Sequence, residues 1–139
     1  MKEKSVGAVI YRIDEDGKRL YLVQRMGLGH YSICKGHVEP GETEVETATR
    51  EISEETGLTV DIDTGFRHTI TYSPAPSVMK DVVFFVARYS GTQAPIDNHD
   101  DEVVSQDWLP LEQALATITH ASDRETVTLA DRYLEDRKS

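Results

Sequence analysis

The chain is predicted to be an α/β protein, with a mixed sheet packed by helices. Runs of strand-like apolar residues recur from Ser5 to Leu109, a capped helical segment at Thr43–Thr56 interrupts them, and a second helical pattern closes the chain. The 139 residues suffice for one core and fall short of two ordinary domains, so 1–139 is read as one domain. The apolar share of 38% is spread along the whole length, unlike a disordered segment.

Ser5 to Ile13 reads as a strand, Asp14 to Lys18 as a turn around Asp16-Gly17, and Leu20 to Gln24 as the returning strand of a hairpin. Gly27 to Gly36 reads as a glycine-bearing loop, and Pro40-Gly41 as a tight turn. In Thr43–Thr56, Thr43 and Glu46 form a capping box, Gly57 stops the helix, and Val45, Ala48 and Ile52 make the apolar stripe. Strands are expected at Leu58 to Ile62, Phe66 to Tyr72, Val78 to Tyr89 and Val103 to Leu109, with loops at Ser73 to Pro76 and Gln93 to Asp101. The last helix, Ser122 to Leu134, carries a second capping-box pair in Ser122 and Glu125, and Val127, Ala130, Tyr133 and Leu134 share one face.

The start of the chain is polar and no apolar run approaches about 18 residues, so neither a signal peptide nor a membrane span is expected and the location follows as cytoplasmic. Cys34 is the one cysteine and has no internal partner. A net charge of −10 argues against nucleic-acid and anionic-membrane partners, which basic patches usually hold. A small polyanion remains open, given a bound cation and a few local lysines.

Glu51, Glu54 and Glu55 stand at i, i+3 and i+4, which places three carboxylates on one side of the helix. Each like-charged pair costs an isolated helix about 0.2–0.5 kcal/mol, so the trio asks for a compensating cation. Solvated glutamates on a helix face are the ordinary alternative. Mg²⁺ suits the hard oxygen donors, since it binds few protein ligands while sharing substrate phosphates and keeping waters.

The flanking residues decide between these readings. Gly36, Glu42, Arg50, Glu51, Ile52, Glu54, Glu55, Gly57 and Leu58 fit G-x5-E-x7-R-E-U-x-E-E-x-G-U without deviation, where U is aliphatic. A chance match in a chain of this size has a probability on the order of 10⁻⁷. This is the Nudix box, and with the order of elements around it the chain resembles a Nudix domain over essentially its whole length. The resemblance implies an α/β/α sandwich in which Glu51, Glu54, Glu55 and the carbonyl of Gly36 bind the metal, Mg²⁺ or alternatively Mn²⁺. It implies also that Arg50 orients Glu51, Gly36 permits a backbone bend, Glu42 supports the loop, and Gly57 ends the helix in a left-handed conformation. Phosphoanhydride hydrolysis then rests on a metal-activated water. Glu55 is one candidate for general base. Glu102, beside Asp100-Asp101, resembles a later glutamate that some relatives use as base or extra ligand.

Lys35 to Glu42 resembles a segment of asymmetrical diadenosine tetraphosphate hydrolases and of some diphosphoinositol polyphosphate hydrolases. Lys80 to Ala87 and Asp107 to Pro110, which leads into a further helix, resemble the first group. By that likeness Lys35 and Lys80 contact polyphosphate and Tyr72 stacks an adenine. Tyr133 is a second candidate ring, though its place on the apolar face of its helix favours packing, and Tyr31 is a third. His37 lies inside the box as a loop support and candidate substrate contact; His30, His68, His99 and His120 show no ligand spacing. Cys34 replaces a residue usually proline in these relatives and is expected to loosen the loop without acting as a nucleophile. The expected reaction is diadenosine tetraphosphate to ATP and AMP. The alternatives are a nucleoside triphosphate pyrophosphatase, including one clearing oxidised nucleotides, a diphosphoinositol hydrolase, and a nucleotide sensor without catalysis. Monomer and homodimer are left open.

Overall fold

The computed structural model describes residues 2–95 and 103–137. β1 (Lys2–Ile13) and β2 (Arg19–Met26) form the expected hairpin, with Tyr11 opposite Tyr21 and Ile13 opposite Arg19. The Asp14 carboxylate closes the turn by accepting from the Asp16 and Lys18 amides at 2.9 and 2.8 Å.

The segment expected as a loop at 27–36 instead contains β3 (Tyr31–Ser32) and the start of β4 (Lys35–His37). These strands are too short to show a period. They exist because β3 pairs with β2 and β4 pairs with β1.

α1 (Glu44–Thr56) follows with both halves of its capping box made: the Glu46 amide donates to Thr43 Oγ1 at 3.1 Å and the Thr43 amide to the Glu46 carboxylate at 2.8 Å. Gly57 ends the helix at φ 71°, a left-handed conformation in which a Cβ is penalised. Ala48 and Ile52 are fully buried, whereas Val45 is 40% exposed, so the apolar stripe is narrower than the pattern suggested.

The two strands expected at 58–62 and 66–72 are one strand, β5 (Asp61–Ala75), whose register against β6 (Val78–Arg88) shifts between Asp63 and His68. That irregularity breaks the alternation that would have joined them in the sequence. The strand also runs through most of the expected loop at 73–76, and the reversal falls around Ser77, at φ 64°. Residues 93–95 lack regular structure, as expected; the remainder of that expected loop lies outside the described residues.

β7 (Val103–Pro110) leads into α2 (Leu111–Thr117) and α3 (Ala121–Asp136). The second capping box does not form. His120 is the N-cap, and its carbonyl accepts from the Asp123 and Arg124 amides, both at 3.1 Å, so Ser122 sits within the first turn and cannot cap it.

The sheet runs β3-β2-β1-β6-β5, with β4 on β1 and β7 on β2. β1 and β6 are parallel and the other pairings antiparallel, which makes the sheet mixed. Side-chain alternation gives it two apolar faces. Val6, Ala8, Ile10, Val83, Phe85 and Ala87 pack with Ala48 and Ile52 of α1. On the other face Val9, Val82, Phe84 and Val86 pack with Ala114, Ile118, Val127, Ala130 and Leu134 of the α2–α3 region. This is the α/β/α sandwich. Among the described residues no helix is long and apolar enough to cross a membrane.

Truncating Ile52 to Ala removes a fully buried side chain and is expected to cost about 2–5 kcal/mol. Urea unfolding should show this as a lower midpoint with an unchanged slope.

Candidate active site

Arg50 organises the segment between β4 and α1. Its Nε donates to Glu42 Oε2 at 2.7 Å, and Nη2 donates to Glu42 Oε1 at 3.0 Å and to the His37 carbonyl at 2.9 Å. Nη1 reaches Glu51 Oε1 at 2.8 Å and Glu54 Oε2 at 3.2 Å. The paired contact with Glu42 is the planar, two-point geometry that guanidinium favours with carboxylate. Glu42 also accepts from the Glu39 amide and from Thr47 Oγ1, each at 2.9 Å. Chiefly through the Arg50 hydrogen bonds, its carboxyl is held down to about 2.

Gly36 is needed for space rather than for a backbone bend. It lies in β4 opposite Val6, and a Cβ there would fall on the carboxylate of Glu51. The glycine thus brings an acidic side chain of α1 directly against a strand backbone. Glu55 is 7% exposed and hydrogen-bonds the thiol of Cys34. Burial pushes that thiol well above its ordinary range, and the charges of Glu55 and Glu51 add to the effect, so it is no nucleophile. Cys34 is 1% exposed among the core side chains, and its carbonyl accepts from the Ala8 amide at 3.1 Å.

The donors around Gly36 are all oxygen, the chemistry that a hard divalent cation requires, and Glu51 occupies the space a Cβ would take. Among the described residues, however, no three His, Cys, Asp or Glu side chains converge as a ready ion cage. Arg50 draws Glu51 and Glu54 to itself, while Glu55 is turned toward Cys34.

Beyond β4 lies a cavity of about 370 Å³, within the size range of small-molecule sites, lined in part by Lys35, Tyr72, Ser32 and Asp123. Lys35 and Gly36 are successive residues of β4, so the strand carries a cavity-lining lysine on one side and meets Glu51 on the other. The three box glutamates do not line the cavity. Lys80 is the cross-strand partner of Tyr72 on β6, which places the two side chains on one face.

The remaining candidates fall elsewhere. Tyr133 donates to Asp63 at 2.8 Å and packs beside Phe66, with ring centroids 5.6 Å apart. Tyr31 packs against the core on the α3 side of the sheet, and neither tyrosine lines the cavity. The His37 side chain is exposed, and its carbonyl serves Arg50. Glu102 lies outside the described residues.

Sequence reasoning missed His30, Ser32, His120 and Asp123, which also line the cavity. The two histidine rings are 5.7 Å apart although 90 residues separate them (120 − 30). No local spacing could have shown that.

A glutamate-bearing helix docked on a strand glycine within this sandwich brings Gly36 and Glu51 of the box together. The chain belongs to the Nudix hydrolase family: the NUDIX domain model matches residues 1–130. Within the family it is similar to asymmetrical Ap4A hydrolases. It is 33% identical over 124 residues to the asymmetrical bis(5'-nucleosyl)-tetraphosphatase of Mus musculus, covering 82% of this chain and 83% of that protein. The crystal structure of a C. elegans Ap4A hydrolase binary complex superposes with a TM-score of 0.86 at 27% identity, covering 96% of this chain and 98% of that one. An 8-oxo-(d)GTP phosphatase of Mycolicibacterium smegmatis is 29% identical over 133 residues, 89% of this chain and 40% of that protein. The chain likewise spans about half, 52%, of a Mycobacterium tuberculosis relative named for a mutator protein, MutT4. Nudix enzymes act on small nucleotide substrates and generally use divalent metals.

Two outcomes are expected. Gly36→Ala should displace Glu51 and depress turnover more than stability, since most of the core is untouched; paired activity and melting measurements check this. The Glu42 carboxyl is lowered from an ordinary 4.5 to about 2, so its contribution to stability is complete above 4.5 and lost as pH falls toward 2. The difference in denaturation midpoint between the unmodified protein and Glu42→Gln should therefore be largest above pH 4.5 and vanish near pH 2.

Proposed function

We propose that residues 1–139 act as one Nudix domain that hydrolyses diadenosine tetraphosphate asymmetrically to ATP and AMP. The observation that carries this is the double role of β4, which sets Gly36 against Glu51 of the box helix and Lys35 in a cavity shared with Tyr72. A long polyphosphate with a base at its end needs such an arrangement, with acidic groups for the metal beside a lysine and an aromatic ring. The likeness to the Mus musculus and C. elegans hydrolases supports the same substrate class.

Glu51, Glu54, Glu55 and the Gly36 carbonyl would hold the divalent ion, with Mg²⁺ favoured by the oxygen donors and Mn²⁺ an acceptable substitute. When bound, that ion supplies charge neutralisation for phosphate oxygens and acidifies water. Arg50 fixes the direction of Glu51 and Glu54. Lys35 and Lys80 bind and orient the polyphosphate, and Tyr72, 42% exposed, offers a ring face to the base. Glu55 is the proposed general base, with Glu102 as the second candidate.

The 8-oxo-(d)GTP phosphatase relative favours a second reading, a nucleoside triphosphate pyrophosphatase. A diphosphoinositol substrate finds less support, because the cavity wall that carries Lys35 also carries Asp123.

Incubating the protein with diadenosine tetraphosphate and Mg²⁺ should release equal amounts of ATP and AMP by chromatography; two ADP, or no cleavage beside active release of pyrophosphate from triphosphates, would overturn the proposal. Chelation should abolish turnover and added Mg²⁺ restore it. Glu55→Gln should lower kcat by at least about 100-fold while nucleotide binding persists.

A further inference from the structure

Arg50 ties α1 to the turn that precedes it. A second set of ion pairs ties the helix to the sheet, and its members lie outside the box motif. Glu44, the first residue of α1, receives Arg67 of β5 at two points: Nε donates to Oε1 at 2.9 Å and Nη2 to Oε2 at 2.7 Å. Lys4 of β1 donates its ammonium to the same Oε2 at 2.6 Å. The two-point guanidinium contact is directional, and the first turn of a helix favours a carboxylate in its own right. Hydrogen bonds from Arg67, and then from Lys4, hold the Glu44 carboxyl down to about 2, so it stays ionised at neutral pH.

Lys4 stands where the box begins. Its carbonyl accepts from the Val38 amide at 3.1 Å, and the next two residues of β1, Ser5 and Val6, lie opposite His37 and Gly36. Lys4 therefore holds both ends of the segment joining β4 to α1, the strand end by its backbone and the helix start by its side chain. Arg67 lies in the stretch of β5 between Asp63 and His68 where the register against β6 shifts. Such irregularities re-aim side chains, and here the guanidinium reaches Glu44 across 23 residues of sequence.

Glu51 follows Glu44 by seven residues (51 − 44), about two turns and about 10 Å along the axis, so both project from nearly the same side of α1. Between them Ala48 is fully buried in the core, an apolar and non-directional contact that permits sliding. At Gly36 there is no such latitude, since a Cβ there would already fall on the Glu51 carboxylate. Polar contacts must fix the axial seat of the helix: Arg50 against the turn, and Glu44 against β1 and β5.

We propose that Glu44, gripped by Lys4 and Arg67, is a positioning residue that seats the box helix on the sheet and so keeps Glu51 at Gly36, where the divalent ion would be held. The inference rests on the proposed metal-binding role of the box and deepens it by naming a support beyond the motif. Glu44 acts through Glu51 and takes no part in the chemistry itself. Among the described residues the cavity that holds Lys35 and Tyr72 takes no side chain from α1, so loosening the helix alters the ion's ligands and leaves the nucleotide contacts as they are. Lys4 and Arg67 are 43% and 50% exposed, and ion pairs this open add little to stability, so the effect on function exceeds the effect on melting. Misplacing a group by about 1 Å can cost on the order of 100-fold in rate; with Arg50 still in place the expected loss is about tenfold.

Mn²⁺ is titrated into the unmodified protein, Glu44→Gln, Arg67→Met and the double variant, with binding read by electron paramagnetic resonance and folding by circular dichroism. On the same samples kcat and KM for diadenosine tetraphosphate are measured at saturating Mg²⁺. Glu44→Gln should weaken Mn²⁺ binding and lower kcat, each by about tenfold, with KM unchanged. Arg67→Met should do the same to a smaller extent, because Lys4 remains, and the double variant should lose no more than Glu44→Gln alone, because both changes remove one contact. Arg67→Lys, which keeps the charge, should recover part of the loss. A lower melting temperature with Mn²⁺ affinity and kcat unchanged below it overturns the proposal, as do additive losses in the double variant or a change confined to KM. Should Glu44→Gln not fold, Arg67→Met carries the test, since that side chain is half exposed. An unmodified protein that takes up no Mn²⁺ overturns this inference together with the metal assignment. One that binds Mn²⁺ and leaves diadenosine tetraphosphate intact overturns the substrate alone, and the Mn²⁺ titration still decides the role of Glu44.

Discussion

One guanidinium holds the chemistry-bearing segment in place. Arg50 bonds simultaneously to Glu42, Glu51, Glu54 and the His37 carbonyl, and so ties the turn after β4, the strand itself and two turns of α1 into a single unit. A lysine could neutralise one of these carboxylates but could not present a planar fork of donors to all of them. The same contacts help three glutamates coexist on one helix side: Arg50 bonds two of them and the third is buried against a thiol.

The second constraint is steric. Gly36 brings Glu51 against β4 because no side chain separates them, and the pleat then sends Lys35 to the other side. A two-sided strand of three residues thereby places the box carboxylate of Glu51 on one side and the cavity lined by Lys35 on the other. The cavity has a mixed lining, with Lys35 and Asp123 both on its wall beside apolar side chains.

Likeness to relatives supports the reaction class and leaves the substrate to the cavity. The Ap4A hydrolases and the 8-oxo-(d)GTP phosphatase are both similar to this chain while differing in the nucleotide their names record. The cavity draws its side chains from β3, β4, β5, β6 and the start of α3, apart from the three box glutamates, so the box alone leaves the substrate open.

By itself the sequence determined what depends on near neighbours. The α1 cap, its Gly57 stop, the β1–β2 hairpin and the box carboxylates at helical spacing were all legible, because hydrogen bonds and side-chain directions within a few residues fix them. Misreadings arose where distant partners decide. β3 and β4 are strands because β2 and β1 lie beside them, and the bulged β5 hides its continuity; the α3 cap was a local misreading, since the His120 carbonyl captures the first-turn amides in place of Ser122. Gly36 was recognised as important, yet its reason, the carboxylate pressed against it, came from packing. His30, Ser32, His120 and Asp123 carry no mutual spacing in the chain. Tertiary folding alone gathers them, since a cavity wall is assembled from whichever residues the sheet and helix ends happen to bring within reach.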